Sequence, residues 1–229
     1  MCITTMKLLC LALYGSCARG DQTEGSDVDL FAIHDQDEYR MTINGNVNTA
    51  LYPEKKALQM MHSGNLFALH LKMESKAIFN EGKLISIFEE FKFKEDYQYE
   101  ILMAAKLGRD TLSLSEKIKN NYMFNRKISW CVRTILIASS AQNRHPIFSK
   151  TELTQSLNNW GVDKSNALKL LELKNNTKKD NTTYFIAKRF FDNFVSEQQT
   201  IISEIENDSF YKKSIKAMLS DASHHDDSY

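Results

Sequence analysis

Leu13-Tyr-Gly-Ser-Cys-Ala-Arg-Gly-Asp-Gln-Thr-Glu-Gly-Ser-Asp-Val-Asp-Leu-Phe-Ala-Ile33 decides how the rest of the chain reads. An apolar run ends at Leu13-Tyr14, a small-residue turn follows at Gly15-Ser16, and a polar loop leads to a second apolar run from Leu30 to Ile33. Strand, turn, loop and strand is the local structure this pattern predicts. The second strand opens with Asp27 and Asp29. Side chains two apart on a strand share a face, so these are paired carboxylates with Val28 turned the other way, toward the core. Two acids side by side are costly unless a cation lies between them. A hard divalent ion such as Mg2+ suits oxygen ligands and keeps open positions for phosphate.

Around this stretch the composition sets limits. The 229 residues suffice for one large domain or two small ones. Lys and Arg number 29 and Asp and Glu 29, so no global field draws in nucleic acid or an anionic membrane. Two prolines and eight glycines, with long Leu, Lys, Glu and Asn stretches, favour helices over a sandwich or barrel. Cys2, Cys10, Cys17 and Cys131 lack paired metal spacing, and three of the four crowd the first strand. That argues for free thiols in a reducing cytoplasm. No apolar run approaches the ~20 residues that span a bilayer, so no membrane association is expected. Met6 to Ala18, with a basic start and small residues at its end, has the outline of a secretory signal. The same run is the buried strand that Gly15-Ser16 requires, and that reading is preferred.

Gly15-Ser16, the spacer Cys17 to Ser26, and Asp27-Val28-Asp29 resemble the signature of the DNA-polymerase-beta-like nucleotidyltransferase superfamily, and most closely its minimal nucleotidyltransferases. The resemblance spans only this stretch, but it needs a Gly-Ser turn, a spacer and an acid pair flanked by apolar residues to coincide. It implies transfer of an NMP group from an NTP, with ATP the expected nucleotide, to a hydroxyl acceptor and release of pyrophosphate. Asp27 and Asp29 would hold Mg2+, two ions in the usual arrangement. Gly15, Ser16, Arg19 and Ser26 would contact the nucleotide, Arg19 as a forked phosphate donor or else as a solvated loop residue. Relatives act on proteins, small molecules or RNA, in toxin–antitoxin and phage-defence settings, so a helical protein partner and homo-oligomers are in view.

The superfamily places a third carboxylate on the neighbouring strand. Here that strand reads Asn46-Val-Asn-Thr-Ala-Leu-Tyr52, and Asn46 or Asn48 stands where the acid belongs. An amide is no base, so the alternative to an enzyme is a weakened, nucleotide-binding regulatory module. Glu54 substitutes only if the strand ends early. His70 and Glu74, four apart on one helical face, suit a metal or nucleotide contact, or simply a packed core histidine. Arg126, Lys127 and Arg133 near Tyr122 and Trp130 suit the nucleotide cleft or an RNA-binding face, or else a solvated helix over an aromatic core. Phe185, Phe190, Phe191 and Phe194 read as core or an inter-subunit seam, and His224-His225-Asp226-Asp227, though metal-like in type, as a frayed tail.

The expected fold class is α+β. A small mixed-sheet nucleotidyltransferase domain covers residues 1–82, an all-helical unit residues 83–222, and a frayed tail residues 223–229. After the acid strand, residues 34–40 read as a turn or short helix and 46–52 as a strand, followed by helices after Pro53 and Asn65 and a last strand at 76–79. Leu84, Ile87, Phe88 and Phe91 form a helical stripe. Further helices are expected at 95–108, 111–141, 149–159, 164–174, 182–206 and 209–220, with a capping box at Ser149 to Glu152.

Overall fold

The computed structural model describes residues 6–22, 24–195 and 199–220. By internal contacts the chain divides into Met1–Glu95 and Asp96–Tyr229. The first unit is built on a five-stranded sheet with spatial order β3-β4-β2-β1-β5. Its elements are β1 (Leu8–Tyr14), α1 (Gly15–Arg19), β2 (Val28–His34), β3 (Arg40–Asn44), β4 (Val47–Pro53), α2 (Glu54–His62), α3 (Leu66–Glu74), β5 (Lys76–Phe79) and α4 (Glu81–Glu89). Only β2 and β4 run parallel; the other neighbours are antiparallel. The sheet is therefore mixed, as expected.

Burial changes along the two central strands. Phe31 to His34 of β2 and Ala50 to Pro53 of β4 are all buried, as befits strands covered on both faces. Val28 to Leu30 and Val47 to Thr49, at the opposite end, are half-buried. Phe31 packs against Tyr52 and Phe67 with ring centroids 5.5 and 6.4 Å apart, and Tyr14 meets Phe67 at 5.5 Å. The apolar run beginning at Met6 is thus β1, paired with β2 on one side and β5 on the other.

Three features of this unit differ from expectation. Strand β3 is an additional strand ahead of the one expected at 46–52; it is an edge strand exposed along most of its length. His34, read as the start of a polar turn, is the fully buried last residue of β2, its Nδ1 accepting the Gln36 N–H at 3.1 Å. Helix α4, expected in the helical unit, belongs to the first one. Leu84, Ile87 and Phe88 are buried and the helix packs on β1, which moves the division to Glu95. Asn65 caps α3 as expected, accepting from Phe67 and Ala68 N–H at 2.8 and 3.3 Å.

The second unit is helical: α5 (Gln98–Ser113), α6 (Asn121–Gln142), α7 (Lys150–Asn159), α8 (Lys164–Glu172), α9 (Asn181–Asp192), α10 (Gln199–Asn207) and α11 (Ser209–Leu219), with a 3-10 turn at Leu173–Asn175. The capping box is present, Ser149 and Glu152 each satisfying the other's backbone N–H at 3.3 Å. The expected helix at 111–141 is interrupted: α5 stops at Ser113, and Asn120 recaps the chain by accepting from Met123 N–H at 3.1 Å. The expected helix at 182–206 stops at Asp192 and resumes at Gln199. The tail from 223 on, with its His-His-Asp-Asp run, lies outside the described residues. Among the described residues no helix is long and apolar enough to cross a membrane.

Arg126 donates to the Tyr122 hydroxyl at 2.8 Å, and Lys127 lies 5.3 Å from the Trp130 ring and 5.2 Å from that of Phe210. Those bases thus rest on the aromatic rings of their own unit. Of the phenylalanine stripe, Phe190 and Phe191 are buried and Phe185 is exposed. Gly108 is where α5 admits Phe191: a Cβ there would meet its ring at 2.5 Å. Gly108→Ala gains about 1 kcal/mol of helix propensity but overpacks a buried ring, which costs about 1–3 kcal/mol. Chemical denaturation should therefore find the variant less stable than wild type; a rise in stability would contradict this packing.

Candidate functional site

The site follows from one register. In the β1–β2 pair Tyr14 lies opposite Asp29, so the next residue, Gly15, arrives directly over the acid. Gly15 has φ +73°, and a Cβ added to it would stand 2.9 Å from Asp29 Oδ2. Glycine is required there for both backbone conformation and space. The five residues of α1 are capped by Gly20, and the Ser16 carbonyl accepts the N–H groups of Gly20 and Asp21 at 2.9 and 3.1 Å. Cys17 Sγ donates to the Asp27 carbonyl at 3.3 Å and ties the far end of the loop to α1.

The two acids are held differently. Asp29 is the half-buried second residue of β2, whereas Asp27 is exposed and precedes the strand. The pair expected on one strand is thus a loop residue followed by a strand residue. Ser26, half-buried, leads into them. In the parallel β2–β4 register Asn48 stands opposite Asp29, and its Nδ2 lies 3.4 Å from Asp29 Oδ1. Asn46 contributes its carbonyl, which accepts the Val28 N–H at 2.7 Å. Of the two asparagines singled out in the sequence, Asn48 is the one whose side chain faces the acid. Glu54 begins α2 and pairs with Lys83, away from that register position.

Arg19, His70 and Glu74 come together. Arg19 Nη1 donates to Glu74 Oε2, and its Nε donates to Asp21 at 3.1 Å. His70 Nε2 lies 2.5 Å from the same Glu74 oxygen. Burial alone would lower the Arg19 pKa, but Asp21 and Glu74 outweigh it and raise it, so the guanidinium stays charged. Asp21 was not singled out in the sequence, where nothing separates it from its polar loop.

Asp27, Asp29 and the Asn48 amide are oxygen-bearing groups at the half-open end of the sheet. Mg2+ typically takes one or two carboxylates and completes its shell with water and substrate phosphates, so this donor set fits an ion arriving with a nucleotide. Among the described residues no three His, Cys, Asp or Glu side chains cluster as a metal site of their own.

Residues 9–107 match the family model of the nucleotidyltransferase domain. No curated protein matches the chain. Among solved structures it aligns with a nucleotidyltransferase-like protein from Exiguobacterium sibiricum at 15% identity, covering 94% of this chain and 76% of that one. The TM-score of that alignment is 0.33, too low to bear on either unit.

Gly20, also at positive φ, has no atom within 4 Å of an added Cβ. Gly15→Ala and Gly20→Ala should each lose about 1–2 kcal/mol to backbone strain. Only Gly15→Ala should in addition push Asp29 aside, so chemical denaturation should find it the less stable of the two. Equal losses of stability in the two variants would contradict the Gly15–Asp29 contact.

Proposed function

We propose that the protein is a Mg2+-dependent nucleotidyltransferase that moves an NMP group from an NTP, ATP foremost, to a hydroxyl acceptor. The observation that carries the reading is the Gly15 backbone lying against Asp29, which puts the Gly15-Ser16 turn directly beside a carboxylate. The acceptor hydroxyl oxygen attacks the α-phosphorus and gives up its proton to solvent, the bond from that phosphorus to the bridging oxygen breaks, and pyrophosphate leaves. Gly15 opens the backbone to the triphosphate, Ser16 offers a hydroxyl donor, and Asp27 and Asp29 hold the ion. Mg2+ in such sites neutralises phosphate charge and orients the displacement. The balanced net charge supports a protein side chain or small molecule as acceptor more than a long RNA. A toxin–antitoxin or phage-defence role with a helical partner is consistent with a nucleotidyltransferase domain joined to a helical unit.

A second reading has a specific observation behind it. Asn48 stands in register with Asp29, where an acid would complete the metal site and take the acceptor's proton, and an amide does neither. On that reading the protein binds nucleotide and acts through a partner.

Incubation with each labelled NTP, Mg2+ and a cell lysate separates the two. The enzyme reading expects label transfer and pyrophosphate release from wild type, both lost in Asp27→Ala/Asp29→Ala. Asn48→Asp should raise the rate, since a positioned base contributes about 100-fold or more. Nucleotide binding without turnover by wild type, with turnover gained in Asn48→Asp, favours the binding module. Transfer that survives loss of both acids would contradict both readings.

A further inference from the structure

Helix α1 has five residues, and isolated helices shorter than about 12 residues are marginal in water. Its orientation must come from its tertiary contacts, those at its two ends beside the Cys17–Asp27 tie and the buried Ala18. The Tyr14 side chain makes no capping hydrogen bond to α1; its ring stands edge-on to that of His70, centroids 5.8 Å apart at 88°. At the other end Arg19 is forked between Asp21 and Glu74. His70 and Glu74 are one helical turn apart on α3 and meet at a single carboxylate oxygen. This pair therefore grips both ends of α1. The side chains of Arg19, His70 and Glu74 are only 17%, 8% and 10% exposed. A buried ion pair is weak support for stability as such, so geometry is the better account of its presence.

We propose that His70 and Glu74 are positioning residues, which act through Tyr14 and Arg19 to hold the Gly15-Ser16 turn against Asp29. The inference rests on the reading of that turn as the nucleotide cradle. It also assigns Arg19 a different duty from a phosphate clamp, because Nε and Nη1 are engaged by carboxylates of the chain itself. Arg19→Lys distinguishes the two duties. A lysine keeps a point charge for phosphate but cannot bridge two carboxylates.

Cys17 lies within α1 and reports on its position without any nucleotide. Cys10 and Cys131 are fully buried, and burial pushes their thiols up to about 11 and about 12, so they stay unreactive at neutral pH. In full-length protein carrying Cys2→Ser, maleimide modification of Cys17 should quicken about tenfold in Glu74→Gln and in Arg19→Lys, and Mg·ATP affinity should fall by about tenfold, within the range for outer-shell partners of a site. Circular dichroism should be unchanged, and the double variant should be no worse than the worse single one. Unchanged Cys17 reactivity in the folded variants, or additive effects, would overturn the proposal. Full affinity in Arg19→Lys would return Arg19 to the phosphate role and overturn it too. Should Glu74→Gln fail to fold, Arg19→Lys and His70→Gln give the same readouts. If wild type binds no nucleotide, the function proposed above fails, while the Cys17 rates still decide the brace.

Discussion

The Asp29 carboxylate and the Gly15 backbone share a space that admits no side chain between them, and much of the first unit serves that contact. Tyr14 must pair with Asp29 across the β1–β2 ladder for the turn to arrive there. A slip of one residue would carry Asp29 to the other face of the sheet and the apolar residues of β2 with it. The alternation that buries Cys10, Ala12 and Tyr14 of β1 therefore also sets the site. Core packing and site geometry are one constraint here.

The burial gradient along β2 and β4 explains how acids are tolerated in a central sheet. The same strands that run fully buried from Phe31 and Ala50 onward are half-open where Asp29 and Asn48 lie. Asp29 thereby keeps access to solvent and ligand while its neighbours along the strand anchor it. Asn48 beside it has two effects. Its amide donates toward the carboxylate, and it withholds the negative charge that an acid at this register position would add.

Much of this is legible in the amino-acid sequence alone. Gly15-Ser16 and Asp27-Val28-Asp29 announce a strand-turn-strand unit because only a buried sheet explains apolar runs on both sides of an acid pair. Asn65 and Ser149 mark helix starts through local chemistry that needs no tertiary context. What escapes a sequence reading depends on contacts between distant segments. Strand β3 is exposed, and the loose alternation that runs through it does not separate it from the strand that follows. The choice between Asn46 and Asn48 requires the parallel register of β4 on β2, which no local pattern records. The partnership of Arg19 with Glu74 spans 55 residues of sequence, and Asp21 looks like any acid in a polar loop. The helix ends at Ser113 and Asp192 are hidden because the flanking residues continue a helical composition.

On the proposed function, Asp27 and Asp29 hold a divalent ion together with a nucleotide bound at the Gly15-Ser16 turn. Mn2+ reports this directly, since it replaces Mg2+ and its electron paramagnetic resonance signal changes on immobilisation. Titration of Mn2+ with a non-hydrolysable ATP analogue and the full-length protein should show an immobilised ternary signal in wild type. Asp29→Asn should leave only the spectrum of the Mn2+–nucleotide complex. An identical ternary signal in Asp29→Asn would contradict the account.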